Sequence, residues 1–242
     1  GHVNMAMRLI EPIRGAIVAT GHNLAFSYFA RATRDQERLR MLADRVVSQS
    51  AFVTVPVFVG MAAIAPVLLP LVAGPGWDDA VGITMCLSLA SAIAVPAGLI
   101  YTAFSANARP EFSLLSLIVG FAAVVAVLVG ASSLGPISVG LSRIAGDVVR
   151  AAFAIGLPAA ALDWSRRQRF KALAPAWTFS GAMGGVVAAA ALFLPVSPLL
   201  VQLILLVSLG IAVYAALLAL FGGGVFLTLA AHLHLPGFKG RR

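Results

Sequence analysis

The chain has 242 residues, of which 60% are hydrophobic and only 11% charged, with a net charge of +8. An ordinary soluble domain carries roughly 25% charged residues, and so few charges cannot cover the surface of a soluble body of this length. The composition therefore excludes a soluble enzyme, a secreted disulfide scaffold and a nucleic-acid binder, and leaves an all-α, polytopic membrane protein.

The first candidate helix, 3–30, is weakened as a span by Arg8, Glu11, Arg14 and His22. Six stronger apolar runs follow at 46–72, 80–103, 112–131, 137–162, 176–194 and 199–229. Each approaches or exceeds the roughly 20 residues that cross a bilayer. Turn residues separate them: Gly74-Pro75-Gly76, Ala108-Arg109-Pro110, Gly135-Pro136 and Pro195-Val196-Ser197-Pro198. Pro56, Pro66 and Pro96 fall inside runs, which membrane helices tolerate when neighbours satisfy the freed carbonyls. The expected architecture is a transmembrane bundle of about seven helices.

Basic residues alternate between connections. Arg31, Arg34, Arg38, Arg40 and Arg45 occupy the first, Arg109 the third, and Arg166, Arg167, Arg169 and Lys171 the fifth. The connections at 73–79, 132–136 and 195–198 have none, and the tail carries Lys239, Arg241 and Arg242. The positive-inside rule then places connections one, three and five and the C-terminus in the cytoplasm. That puts Gly1 outside. The chain starts without methionine or signal peptide and enters a helical pattern at once, so a fragment of a longer protein is expected. Tyr28 and Trp164 near the inner face, and Trp77 near the outer, are expected to anchor at the interface.

Four basic residues remain inside spans, where charge is expensive. Arg8, Glu11 and Arg14 are three apart on the first helix, with Asn4 one turn earlier and Pro12 beside them. Two arginines and one carboxylate suit an anionic ligand such as a pyrophosphate. A self-satisfied Arg–Glu pair, or a helix lying on the membrane surface, fits the same spacing. Arg143, Asp147 and Arg150 share a stripe of the fifth apolar helix's predecessor, the run at 137–162. They read either as an ion-pair staple between helices or as a substrate-facing or ion-coupling group.

Asp78 and Asp79 follow Trp77 and resemble the paired acids of a metal-dependent glycosyltransferase, but acids opening a helix also complement its dipole. Ser180 with Gly184, and Gly181 with Gly185, form two small-xxx-small frames for close helix packing. Cys86 is the single cysteine, so neither an intrachain disulfide nor a cysteine metal site is expected. No phosphate loop, nucleophile elbow or metal-spaced His/Cys cluster occurs, and His232 and His234 read as interfacial. No metal, no cofactor and no covalent catalysis are expected.

The order of several segments resembles a known family. "GHVNMAMRLIEP" resembles the start of a mid-chain helix in polysaccharide flippases, and "YFARATRDQERLRMLADRV" is similar to their cytoplasmic basic segment. "PVLLPLVAGPGWDDA" and "LIYTAFSANARPEFSLL" resemble the hairpin and turn that follow. These belong to the O-antigen and exopolysaccharide flippases of the multidrug/oligosaccharidyl-lipid/polysaccharide superfamily; the similar segments lie in residues 1–117. The resemblance implies two six-helix lobes plus a terminal pair, with this chain as helices 8 to 14. Residues 1–162 would form most of the second lobe, 163–175 a cytoplasmic basic loop, and 176–242 the terminal pair with its basic tail. It further implies alternating access around a cationic cavity, moving undecaprenyl-pyrophosphate-linked glycans across a bacterial cytoplasmic membrane. Arg8, Glu11, Arg14 and Asn4 would face the pyrophosphate. The partners implied are the bilayer, that glycan, the first lobe and other membrane proteins of glycan assembly, in lipopolysaccharide or exopolysaccharide synthesis. His2-Val3 departs from the family's aromatic pattern, at a position where the resemblance would otherwise imply a sugar contact. A multidrug exporter of the same superfamily, and a membrane glycosyltransferase or polymerase, are the competing expectations. The short outer loops weigh against the polymerase.

Overall fold

A computed structural model describes residues 1–158, 162–193 and 198–221. Among these residues there are seven α-helices and no strand: α1 (His2–Ala32), α2 (Gln36–Ala73), α3 (Asp78–Ala106), α4 (Glu111–Gly130), α5 (Ile137–Gly156), α6 (Arg166–Phe193) and α7 (Leu199–Phe221). A 3-10 turn, Ser132–Leu134, joins α4 to α5. The chain is an all-helical, multi-pass membrane protein: α2, α3, α4, α6 and α7 are each long and apolar enough to cross a bilayer.

Two helices, α1 and α5, fall short of that measure, α5 because it carries three charges in 20 residues. The weakness expected of α1 is present. The run expected at 137–162 is not a simple span, because α5 ends at Gly156 and holds Arg143, Asp147 and Arg150 within 20 residues. The basic segment at 163–175 is largely helical, since α6 begins at Arg166. Residues 195–197, Gly222-Gly223-Gly224, His232, His234 and the basic tail lie outside the described residues.

Local chemistry sets the helix ends. Asp35 precedes α2, and its carboxylate accepts the Arg38 backbone N–H at 3.0 Å, one of the donors a helix start leaves unsatisfied. Gly74 ends α2 at φ 78°, a conformation glycine adopts without steric cost. Pro56, Pro66 and Pro70 all lie within α2, which runs on through them. Its 38 residues extend roughly 57 Å at 1.5 Å per residue, well beyond the roughly 30 Å hydrocarbon layer.

The packing centres on α3, which α1, α2, α4 and α5 all contact. Small residues set the closest approaches. A Cβ on Gly140 of α5 would fall 2.7 Å from the Cys86 Cβ of α3, and Gly146 of α5 lies against the backbone of Gly120 in α4. On α4 only Ser116 and Gly120 are buried; Leu117, Ile118, Phe121 and Val129 point outward, as a lipid-facing helix requires. α6 and α7 lie behind α2. Gly184 and the buried Ser180 form the frame that meets α2, with Val59 over Gly184, whereas Gly181 and Gly185 face open space. The Tyr214 hydroxyl of α7 donates to the Phe52 carbonyl at 2.7 Å.

The α1–α2, α3–α4 and α5–α6 connections form one arginine-rich end. Trp164 is fully buried there and donates to the Asp44 carboxylate at 3.1 Å, so it is a packing residue and not the expected interface anchor. Arg169 is also fully buried. Its guanidinium donates to the Leu157 carbonyl and lies over the Phe104 ring, 5.8 Å from the centroid.

Candidate functional site

The inward stripe of α1 changes character along its length. Ala6 and Ile10 are buried near one end, and Ala25, Phe29 and Ala32 near the other. Between them only Arg14, Ile17, Val18 and His22 are even half-buried. Spacings of three and four keep all of these on one face. Arg14 and His22 therefore occupy positions where the helix otherwise presents apolar residues to α3.

His22 meets α3 at Gly98, where a Cβ would fall 2.6 Å from the ring. The ring lies 3.4 Å from the Thr102 hydroxyl, and its Nε2 is buried without a partner. Beside it opens a cavity of about 350 Å³, lined by Asn23, Phe26, Tyr101, Ser105, Ser113 and Arg150 as well as His22, Gly98 and Thr102.

Arg150 connects this cavity to the charge group on α5. Asp147 is the buried centre of that group: Arg143 Nε is 3.2 Å from one carboxylate oxygen and Arg150 Nη1 is 3.7 Å from the other. The Arg150 stem crosses Gly120, where a Cβ would fall 2.5 Å from its Cγ, and its Nε is buried without a partner. The Tyr101 hydroxyl donates to the Arg150 carbonyl at 2.5 Å and ties α3 to α5. A smaller cavity of about 150 Å³ lies on the α4 side of the same charges.

The 350 Å³ cavity brings the two helices together, since His22, Asn23 and Phe26 of α1 and Arg150 of α5 all line it. Both helices pack on α3, and the cavity opens as a cleft between them. The sequence treats their charges as two groups separated by more than 120 residues; only the shared packing on α3 unites them.

The first group itself divides. Arg14 donates to Glu11 at 3.0 and 3.2 Å, with side-chain exposures of 24% and 50%. Asn4, Arg8 and Glu11 lie on the adjacent exposed stripe, and the side chains of Asn4 and Arg8 have no hydrogen-bond or ion-pair partner among the described residues. Asp78 and Asp79 open α3 without a side-chain cap hydrogen bond, and their contribution is to the helix dipole. Among the described residues, no three His, Cys, Asp or Glu side chains group closely enough to hold a metal. His2 packs against Trp77 in a tilted ring contact, with centroids 5.5 Å apart, joining the starts of α1 and α3.

Residues 1–82 match the family model described as polysaccharide biosynthesis protein. That stretch contains α1, α2 and the first turn of α3. The fold is similar to that of a solved transporter, the lipid II flippase MurJ in its inward closed conformation, with a TM-score of 0.73 at 12% sequence identity. The likeness covers 93% of this chain and 47% of that one, so the chain spans about half the length of the flippase. No curated protein matches the sequence.

Proposed function

We propose that this chain is the greater part of one lobe, with the terminal helix pair, of a flippase that moves lipid-linked oligosaccharide or polysaccharide precursors across a bacterial cytoplasmic membrane. In this reading residues 1–162 belong to the lobe and 176–242 to the terminal pair, separated by the basic segment at 163–175. Connections one, three and five and the C-terminus face the cytoplasm, following the arginine distribution. The protein transports and does not catalyse a covalent step.

The observation that carries this reading is the polar middle of the α1 stripe, Arg14 and His22, with His22 and Arg150 of the Arg143–Asp147–Arg150 group lining one cavity. Intramembrane charge of this kind is costly and marks a substrate or ion pathway. The family match over residues 1–82 and the flippase-like fold support a lipid-linked substrate. The cleft is net positive, because Arg14, Arg143 and Arg150 face Asp147 and the partly exposed Glu11. Such a cleft suits a pyrophosphate headgroup, with the undecaprenyl chain left in the bilayer. Arg14 leads this assignment; Arg8, Asn4 and Glu11 stand on the outer stripe, where they would meet the headgroup or the opposing lobe. In this reading Asp147 couples the movement to an ion.

Exchange of Arg14 for Ala tests the reading. In cells that depend on this protein, Arg14→Ala abolishes surface glycan while protein abundance and melting temperature stay normal. Normal surface glycan in that variant refutes the role of the cleft.

A further inference from the structure

A cavity of about 480 Å³ lies away from this cleft, at the arginine-rich end between α1 and α2. Tyr28, Ala32, Met41 and Leu42 line it with mostly apolar surface, and Arg31, Arg38 and Arg45 line it with charge. Arg38 and Arg45 are seven apart on one face of α2, and Arg31 ends α1. All three arginines are exposed, and none has an ion-pair partner among the described residues.

The nearby acids are turned elsewhere. Glu37 pairs with Arg40 at 3.8 Å, Asp35 caps the Arg38 backbone N–H, and Asp44 accepts from Trp164. No carboxylate lines the cavity. α1 leans on α3 rather than on α2, which leaves the hairpin open on this side. Arginines beside apolar side chains, at the end of the spans, match the two halves of an anionic lipid, its phosphate and its acyl chains. Arginine recognises such a phosphate through its planar fork of donors.

We infer that the α1–α2 cavity binds an anionic phospholipid of the adjoining leaflet, its phosphate held by Arg31, Arg38 and Arg45 and its acyl chains running over Tyr28, Met41 and Leu42. The site is independent of the cleft between α1, α3 and α5 and does not rest on the flippase reading. It differs from a general attraction of basic loops to a negative surface because it depends on these residues and not on charge count.

The purified protein, titrated in detergent with phosphatidylglycerol or phosphatidylcholine and read by native mass spectrometry, tests this. Phosphatidylglycerol binds preferentially to the parent. Arg31→Gln/Arg45→Gln lowers its affinity by about 30-fold, the effect of two basic residues near an anionic surface. Arg167→Gln/Lys171→Gln, which removes two exposed charges from the same end, leaves the affinity unchanged. Met41→Glu keeps every arginine, puts a carboxylate among the apolar side chains, and weakens binding like the first pair. Equal loss in the two charge-removing pairs overturns the site in favour of general electrostatics. Binding of undecaprenyl pyrophosphate here without a preference for phosphatidylglycerol overturns it in favour of the transported carrier.

Discussion

Removing the Asp147 carboxylate separates a structural staple from a functional charge group. In Asp147→Ala, Arg143 and Arg150 lose a partner at 3.2 and 3.7 Å, and their like charges remain on one helix face. Each contact is worth about 5 kcal/mol at an effective dielectric near 20, before the desolvation of both partners is subtracted. Breaking a buried ion set by removing one member costs about 3–5 kcal/mol. Asp147 is only 5% exposed, but Arg143 and Arg150 are 42% and 29% exposed and recover some hydration, which places the loss near the lower end, about 3 kcal/mol. At roughly 2–4 °C per kcal/mol, the melting temperature falls by roughly 6–12 °C. Fluorescence-detected gel filtration after a heating series measures this. An Asp147→Ala protein that melts with the parent refutes the buried-charge reasoning.

The triple variant Arg143→Leu/Asp147→Leu/Arg150→Met removes every charge together. Replacing a buried ion set by apolar residues is often neutral or stabilising by about 1–4 kcal/mol, so the melting temperature returns to the parental value or above. Surface glycan does not return, because the cleft has lost its cations. Restored glycan in the triple variant assigns the charges to packing alone and removes them from the mechanism.

Two glycine seats give further expectations. Gly98→Val drives a side chain into His22, costs about 1–3 kcal/mol of stability and closes the neighbouring cavity; adding His22→Ala recovers the stability, as a double-mutant cycle of melting temperatures reports. Gly184→Val meets Val59, forces α6 away from α2 and costs a similar amount, while Gly181→Val, in open space, stays within about 0.5 kcal/mol. Equal effects at 181 and 184 would contradict the observed packing face.

Much of the architecture follows from hydropathy alone. Apolar runs bounded by Gly-Pro turns locate α2, α3, α4, α6 and α7, because a span must satisfy its own backbone inside lipid. The charges in α1 and α5 are equally plain in the sequence, but their proximity is not. It depends on both helices packing on α3, a tertiary fact with no local signature. Spacing also treats the two small-residue frames of α6 alike, and only the contact with Val59 selects Gly184. Arg169 and Trp164 look like ordinary residues of a basic connection, yet both are fully buried. Their burial follows from the helix starting at Arg166, which carries the basic run back under the end of α5.

The alternating stripe of α1 also has a mechanical meaning. The helix is clamped at two seats, one at Ala6 and Ile10 and one at Ala25, Phe29 and Ala32, and is only lightly supported between them. Pro12 interrupts the hydrogen-bond ladder just inside the first seat, and Gly15 and Gly21 have no neighbouring atoms to brace them. A beam held at both ends bends most easily in its middle, and Pro and Gly are where helices kink. A ligand pulling on Arg14 would therefore bow α1 without unseating either end. Displacement at the cleft would reach the α1–α2 connection as a change of tilt, through a helix that stays docked throughout.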